Sequence, residues 1–219
     1  MTAPDLLPII AFLLFAYLLG TVPFGFLIGR LKGMDIRQHG SGNIGATNLT
    51  RLAGRKWGIL CFVLDFTKGS GPVLTATILF NNDTGHSLIP VLTAAAAVAG
   101  HVWPVWLGFK GGKGVATALG AILILSPWAT VGAGAAWLAV FQLTRYVSLA
   151  SIVAAVVLPL SYFASTRWLT ETGGAEPALA GLLTALALFI IWRHRENIQR
   201  LASGKEHRFN RDKKVKSCE

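Results

Sequence analysis

The strongest constraint on this chain is a run of 31 residues, Gly114 to Thr144, without a formally charged side chain. As one α-helix it would be roughly 46 Å long, well beyond the hydrocarbon core of a bilayer at about 30 Å. Ser126-Pro127 lies in its middle, and proline interrupts the helical hydrogen-bond ladder. The run therefore predicts a membrane protein with either one long helix or two shorter helices here.

Five further apolar runs are long enough to span a membrane. They cover residues 6–29, 57–80, 88–109, 148–165 and 178–192. With 53% hydrophobic and 14% charged residues, the chain is too apolar for ordinary soluble packing. The first run lacks the features of a cleaved signal peptide, so we expect it to be retained as a span.

The basic residues favour two crossings by the uncharged run. In that arrangement the cations of residues 30–56 and 110–114, Arg145 and the basic segment from Arg193 share one side of the membrane. Basic loops mark the cytoplasmic side, and this topology accounts for the net charge of +10 without nucleic-acid binding. The sequence thus predicts an all-α, polytopic protein with seven transmembrane helices, the N-terminus outside and the C-terminus cytoplasmic.

The domain organisation is expected to be simple. Residues 1–209 would form a single membrane domain, and residues 210–219 a basic, disordered cytoplasmic tail beside the membrane. Cys61 and Cys218 form no CxxC pair or disulfide framework. No metal or cofactor site is expected.

The first polar cluster, Ser41 to Asn48, combines glycines with small hydroxyl and amide side chains. Successive exposed N–H groups of such a loop can form an anion nest, and Arg51, one helical turn beyond, would add a bidentate charge. A flexible loop with helix-capping residues is the alternative. The cluster is a candidate anion cradle.

The second cluster, GFKGGKGVAT at residues 108–117, places Lys110 and Lys113 among glycines before a span. Gly114 follows Lys113 where a Walker A motif needs Ser or Thr, so the pattern argues against ATP binding. A lysine at a helix N-terminus still suits a phosphate ester. A tight turn with lysines extending toward the interface is the alternative.

The third cluster follows the last span. His194 and Asn197, three residues apart, would share a helical face, while most of the nearby cations suit a basic helix on anionic lipid. Ser148 and Ser151 open the sixth span after Arg145, where helix capping and substrate binding both remain possible.

Three ionisable residues lie at membrane depth or near the interface. Asp65 and Lys68, spaced i,i+3, are predicted to pair with each other, because an isolated charge in a span is costly. Direct contact with substrate is the alternative for this pair. His101 is expected to pack or to lie at the interface rather than to bind metal.

The motifs also form a recognisable series. GSGNIGATN followed by Arg51, DFTKG, GHVWPVWLGFKGGKGVAT, YVSLAS and HRENIQRLASGKE resemble, in this order, the motifs of the bacterial acyl-phosphate:glycerol-3-phosphate acyltransferases, the PlsY family. The resemblance extends from about residue 15 to residue 207. It implies a seven-span inner-membrane enzyme of phospholipid biosynthesis, with its active site on the cytoplasmic face.

The implied reaction moves a fatty acyl group from acyl phosphate to the sn-1 hydroxyl of glycerol 3-phosphate, giving lysophosphatidic acid and phosphate. The expected partners are these two substrates, the lipid bilayer and an enzyme that supplies acyl phosphate. An acyl phosphate is already activated, so we expect no acyl-enzyme intermediate; positioning and charge neutralisation would suffice. The proton of the attacking hydroxyl would pass to His194 or, as we favour, to the phosphate of the acceptor.

The resemblance also implies roles for particular residues. The implied catalytic residues are Ser41, Arg51, Lys113, His194 and Asn197. The implied substrate-binding residues are Gly42, Asn43, Gly111, Gly112, Gly114 and Ser148. Glu206 would be a structural acid, and Ser151 matches the family pattern less well.

Two other classes of function remain. A membrane transporter of a phosphate-bearing anion would also use broken spans and glycine-rich helix ends, but it needs a path to both faces. A structural anchor whose tail binds anionic lipid or nucleic acid would leave the glycine clusters without a role.

Overall fold

The computed structural model describes residues 6–80, 88–168 and 175–209, and every α-helix or 3-10 helix noted below lies in these ranges. They contain helices and no β-strand, so the predicted all-α class is confirmed for them. The predicted tail, 210–219, lies outside the described residues. The α-helices are α1 (Leu6–Gly20), α2 (Phe24–Leu31), α3 (Ala46–Ala53), α4 (Arg55–Leu79), α5 (Leu88–Val102), α6 (Val115–Leu125), α7 (Pro127–Thr144), α8 (Val147–Trp168), α9 (Pro177–Arg193) and α10 (Arg195–Ala202).

Four helical segments in the described ranges are long and apolar enough to cross a membrane. They are Leu6–Leu31, Arg55–Leu79, Leu88–Leu107 and Val147–Trp168. Helices α9 and α10, which meet at a bend of 54°, make a fifth if they are counted as one broken span. Helix α6 is apolar but short. Length and composition therefore support a multi-pass protein with four or five spans in the described residues.

The uncharged run is divided as Pro127 led us to expect. Helix α6 ends at Leu125 and helix α7 begins at Pro127, in the first turn, where the missing N–H of proline costs no hydrogen bond. The prediction of two shorter helices is confirmed.

The first run contains a break. Residues 6–29 were predicted to form a span, and the segment Leu6–Leu31 is long and apolar enough to cross a membrane. Within it, the chain leaves the helix after Gly20 and resumes it at Phe24. Pro23 supplies no N–H to the helical ladder at this point, which favours the break. The break frees backbone carbonyls inside the protein.

The chain divides into two compact units, Met1–Leu125 and Ser126–Glu219. In the first unit, glycines allow helices to cross closely. A Cβ at Gly20 would lie 2.3 Å from the carbonyl oxygen of Ala97, and a Cβ at Gly120 would lie 2.1 Å from that of Phe66. Small residues at such crossings are typical of membrane helices, whose association depends on close packing.

The second unit contains α7 to α10 and the segment that follows them. Helix α8 packs against both α7 and α9. Ser161 of α8 faces Gly132 of α7, where a Cβ would meet its hydroxyl oxygen at 2.3 Å. After α10 the chain returns to the start of α8, where the N–H of Phe209 donates to the carbonyl of Arg145 at 2.8 Å.

Candidate active site

Asn48 organises the first polar loop. Its side chain is 2% exposed and accepts a hydrogen bond from the N–H of Ser41 at 3.0 Å. Its amide nitrogen lies 3.0 to 3.1 Å from the carbonyl oxygens of Ile36, His39 and Asn43. One buried amide therefore fixes the path of the whole loop that precedes α3.

Three backbone N–H groups of this loop donate within the protein. The N–H groups of Ser41, Gly42 and Gly45 donate to Asn48, to the carbonyl of His39 and to Asn43, respectively. Gly42 has φ of +68°, a conformation that favours glycine. The glycine thus serves the shape of the loop, and these three N–H groups are not available to an anion.

Asp35 anchors the start of the same loop. Its carboxylate, 7% exposed, accepts from the Arg37 guanidinium at 2.7 and 2.9 Å and from Arg30 at 3.0 Å. The hydrogen bonds from Arg37, against the opposing effect of burial, lower the pKa of Asp35 to about 2. Both guanidinium groups also lie over the ring of Phe26, at 5.1 and 4.6 Å.

Ser41 and Arg51 lie at the two ends of this structure. Ser41 is exposed, and Arg51 is half-buried in the last turn of α3. Helix α3 ends at Gly54, which has φ of +96° and turns the chain into α4. The structure therefore keeps both predicted residues beside the loop that Asn48 holds.

The glycine-rich loop packs on the C-terminal end of α5. The N–H groups of Gly111 and Gly112 donate to the carbonyls of Val102 and His101 at 3.0 and 3.2 Å. These carbonyls would otherwise be unsatisfied at the end of the helix. The two glycines therefore cap α5, and Lys113 follows them, half-buried, just before α6.

Asp65 and Lys68 form the predicted ion pair. The Lys68 Nζ lies 2.8 Å from Asp65 Oδ1, and each residue is 3% exposed. Lys68 also donates to the carbonyl of Val22 at 2.8 Å, so it satisfies a group freed by the break between α1 and α2. The prediction of pairing within α4 is confirmed.

His101 belongs to this buried cluster. It is 6% exposed, and its Nδ1 lies 3.6 Å from Asp65 Oδ1, within ion-pair range but longer than a hydrogen bond. Of the two positions expected for His101, packing and the interface, the structure shows packing, because the end of α5 lies beneath the glycine-rich loop and the ring is buried. In the described residues no group of three or more His, Cys, Asp and Glu side chains is arranged to hold a metal ion.

Glu206 connects the polar side chains of the second unit. Its buried carboxylate accepts hydrogen bonds from Ser148, Asn197 and Arg200, each at 2.8 Å. Burial alone would raise the pKa of Glu206, but these hydrogen bonds, that of Arg200 first among them, lower it below its usual value. Glu206 thus joins α8, α10 and the segment after α10, as expected of a structural acid.

His194 lies at the bend between α9 and α10 and is 3% exposed. Its Nδ1 lies 2.7 Å from the carbonyl of Ile190. A carbonyl only accepts, so Nδ1 carries the proton, and in the neutral ring Nε2 carries the lone pair. His194 and Asn197 do not share one continuous helix, since His194 caps both helices at the bend.

Ser151 has a different environment from Ser148. Its hydroxyl donates to the carbonyl of Val147 at 2.9 Å and accepts from the indole of Trp137 at 3.2 Å. These contacts join α7 to α8. Ser151 therefore has a packing role, whereas Ser148 lies in the Glu206 cluster.

Sequence reasoning gave no separate role to Asn48 and Asp35 and did not find the partners of His101. An asparagine at the end of the glycine-rich polar cluster was the available signal for Asn48. The partners of His101 lie on other helices, so no local pattern reveals them.

The helices and these polar clusters define the class of protein as a multi-pass membrane protein with side chains suited to phosphate groups. A family model described as glycerol-3-phosphate acyltransferase matches residues 10–204, and the chain belongs to that family. It is therefore an acyltransferase of phospholipid biosynthesis rather than a transporter or an anchor.

Similar proteins cover nearly the whole chain. The glycerol-3-phosphate acyltransferase of Aquifex aeolicus (strain VF5) is 47% identical over 90% of this chain and 96% of its own length. That of Syntrophotalea carbinolica is 50% identical over 90% and 95%.

Crystal structures of PlsY, an integral membrane glycerol 3-phosphate acyltransferase, are also similar. The glycerol 3-phosphate form has a TM-score of 0.84 and the lysophosphatidic acid form one of 0.81. Each is 45% identical and covers 93% of this chain and 96% of the other.

Proposed function

We propose that this enzyme transfers a fatty acyl group from acyl phosphate to the sn-1 hydroxyl of glycerol 3-phosphate, releasing lysophosphatidic acid and inorganic phosphate. The observation that carries the proposal is its similarity to an acyltransferase with glycerol 3-phosphate and lysophosphatidic acid forms. Those two molecules differ by one acyl group, so they correspond to acceptor and product.

Acyl phosphate suits the charges of the proposed site. A phosphate monoester carries about −1.5 to −2 charges near neutral pH. Arg51 and Lys113 are the proposed phosphate ligands of the first unit, one on α3 and one before α6. Side-chain cations are needed there, because several backbone N–H groups of both loops already donate within the protein.

The other residues of the proposed site are uncharged, and neighbouring side chains hold them in place. Ser41 and Asn43 lie in the loop that Asn48 fixes, and Ser148 and Asn197 are held by Glu206. We propose that each of these polar groups takes part in substrate binding. Gly42, Gly111, Gly112 and Gly114 would act by shaping the loops close to the substrates.

The reaction needs no covalent enzyme intermediate. The sn-1 oxygen attacks the acyl carbonyl carbon, a new ester bond forms, and the bond between that carbon and the phosphate oxygen breaks. Phosphate leaves with the bonding electron pair, and the hydroxyl proton passes to a base. Placing two bound substrates in contact, with their charge neutralised, supplies the rate enhancement.

We propose that the phosphate of the acceptor is this base, since its second pKa is about 6. The Nε2 of His194 is the alternative. We expect His194→Gln to lower the single-turnover rate while leaving measurable chemistry. If both substrates bind to this variant and the chemical step is abolished, the proton goes to His194 instead.

The proposed setting is the inner membrane, with seven spans, the N-terminus outside and both the C-terminus and the active site cytoplasmic. Basic residues on the loops around α2, α3 and α10 support it. We propose a single functional domain over residues 1–209. The enzyme that makes acyl phosphate would be its natural partner.

A donor assay tests the proposal. Purified protein in detergent is given radiolabelled glycerol 3-phosphate with acyl phosphate, acyl-CoA or acyl carrier protein thioester of the same chain length. We expect labelled lysophosphatidic acid with acyl phosphate alone. Product formed only from a thioester would contradict the proposed donor, and acylation at the second hydroxyl would contradict the proposed position.

A further inference from the structure

The buried charges of α4 have no step in the proposed reaction. Asp65 and Lys68 are each 3% exposed inside an apolar helix, where ionisable side chains are costly and usually have a function. Pairing at 2.8 Å reduces the free-energy cost of burying the two charges. Two neutral residues would avoid that cost altogether, so the presence of the pair calls for another reason.

Contacts of the Asp65 and Lys68 pair extend, through His101, to the glycine-rich loop. Lys68 is held by the carbonyl of Val22 at 2.8 Å, and Asp65 also accepts from the thiol of Cys61 at 3.6 Å. These contacts fix the carboxylate, whose Oδ1 lies 3.6 Å from the Nδ1 of His101. Asp65 thus presents its charge to one edge of the imidazole.

The other edge of that imidazole lies against Gly112. A Cβ added at Gly112 would be 2.1 Å from Nε2 and 2.9 Å from Cε1 of His101. Gly112 is not among the glycines with positive φ, so its backbone conformation does not require glycine. Glycine is required at this position because the His101 ring occupies the space that a Cβ would need.

Residues of the same cluster, or next to it, contact the chain both before and after Lys113. Before it, the Gly112 N–H donates to the His101 carbonyl at 3.2 Å. After it, α4 contacts the first turn of α6, because a Cβ at Gly69, beside Lys68, would lie 2.1 Å from the carbonyl oxygen of Thr117. A shift of His101 or α4 would therefore move Lys113.

We propose that His101, oriented by Asp65, is a positioning residue that sets the location of Lys113 for phosphate binding. The inference rests on the proposed role of Lys113. It gives the Asp65, Lys68 and His101 cluster a purpose in the reaction without direct contact with substrate.

A double-mutant cycle tests it with Gly112→Ala, His101→Ala and the double variant. In Gly112→Ala the new methyl displaces the ring and the loop, and we expect kcat/KM to fall on the order of 100-fold, mostly through KM, as small misplacements do. His101→Ala should cost about tenfold. Because the added methyl then meets no ring, the double variant should resemble His101→Ala alone.

Matched controls separate positioning from folding. Gly71→Ala adds a methyl in the same unit where nothing lies within 4 Å. Thr93→Val changes a buried residue of α5 whose hydroxyl donates to the carbonyl of Ile89 in its own helix. Both should keep wild-type KM values. His101→Gln, which retains a polar group toward Asp65, should fall between wild type and His101→Ala.

Thermal unfolding in detergent accompanies each assay. Losses that multiply in the double variant, or an unchanged KM in both single variants, would overturn the inference. If His101→Ala does not fold, His101→Gln combined with Gly112→Ala provides the same cycle. Lys113→Ala in the same assay tests the proposed role of Lys113 separately. Wild-type activity of this variant would contradict phosphate binding by Lys113, whatever the result of the double-mutant cycle.

Discussion

The two compact units build their polar clusters in different ways. In the first unit, the loops that carry Ser41 and Lys113 are shaped by hydrogen bonds to backbone groups and by close glycine contacts, as at Asn48 and Gly112. In the second, one carboxylate, Glu206, gathers three side-chain donors. A substitution in the first unit should displace a cation, whereas a substitution in the second should leave buried polar groups unsatisfied.

The largest effect on activity is expected from the cations of the first unit. Arg51→Ala and Lys113→Ala should each lower turnover on the order of 100-fold, because the phosphate charge is left unbalanced. Steady-state formation of lysophosphatidic acid measures this. Arg55→Ala and Lys110→Ala, which remove exposed cations nearby, are the controls. Near-wild-type rates for Arg51→Ala and Lys113→Ala would remove these residues from the site.

The largest effect on stability is expected in the second unit. Glu206→Ala leaves Ser148 and Asn197 without their buried acceptor and should destabilise the protein by about 3 kcal/mol. Denaturant unfolding in mixed micelles, followed by tryptophan fluorescence, measures the change. Glu196→Ala, an exposed acid of α10, should have little effect. Equal free energies of unfolding for the two variants would show that the hydrogen bonds of Glu206 do not stabilise the protein.

A smaller effect is expected for the amide that fixes the first loop. Asn48→Ala removes the acceptor for the Ser41 N–H and the two amide N–H groups that face three carbonyls, and should cost about 2 kcal/mol. Hydrogen exchange of residues 36–45 should increase, while exchange around Glu206 stays unchanged. Gln38→Ala is the exposed control in the same loop. Unchanged exchange in Asn48→Ala would contradict the role of this amide.

The smallest effect is a loss of stability in acid. Folding lowers the pKa of Asp35 and of Glu206, so the unfolded chain binds these protons more readily. Both contributions are complete above the unfolded pKa and are lost as pH falls through the folded value. For Asp35 this window extends from 3.8 to about 2. Melting temperatures between pH 7 and pH 3 measure the loss.

Neutral variants identify which unit responds to acid. Glu206→Gln and Asp35→Asn should each be less stable than wild type at pH 7, and the difference should narrow as pH falls. A constant difference across this range would contradict the assigned pKa directions.

Local chemistry predicted part of this structure. The helix break at Pro127 and the pairing of Asp65 with Lys68 depend on residues close in sequence, and both are confirmed. The break at Pro23 was within reach of the same reasoning but was hidden by the apolar run around it.

Contacts between distant residues were beyond sequence reasoning. Ser148 and Glu206 form a hydrogen bond although they are 58 residues apart in the sequence, and the hydrogen bond from Lys68 to Val22 joins residues 46 apart. The motif resemblance named Glu206 as structural, but only the packed helices show which groups it binds. An anion nest was one of two interpretations of the first loop, and hydrogen bonds to Asn48 and Asn43 use some of its N–H groups internally. In the second loop the N–H groups of Gly111 and Gly112 donate to the end of α5.

Direct transfer is the central claim, and a rapid-quench measurement of phosphate release tests it most directly. Purified enzyme is mixed with acyl phosphate, with and without glycerol 3-phosphate. The account predicts that phosphate release requires the acceptor and equals the lysophosphatidic acid formed. A burst of one phosphate per enzyme without acceptor, with acyl label retained on the protein, would contradict it.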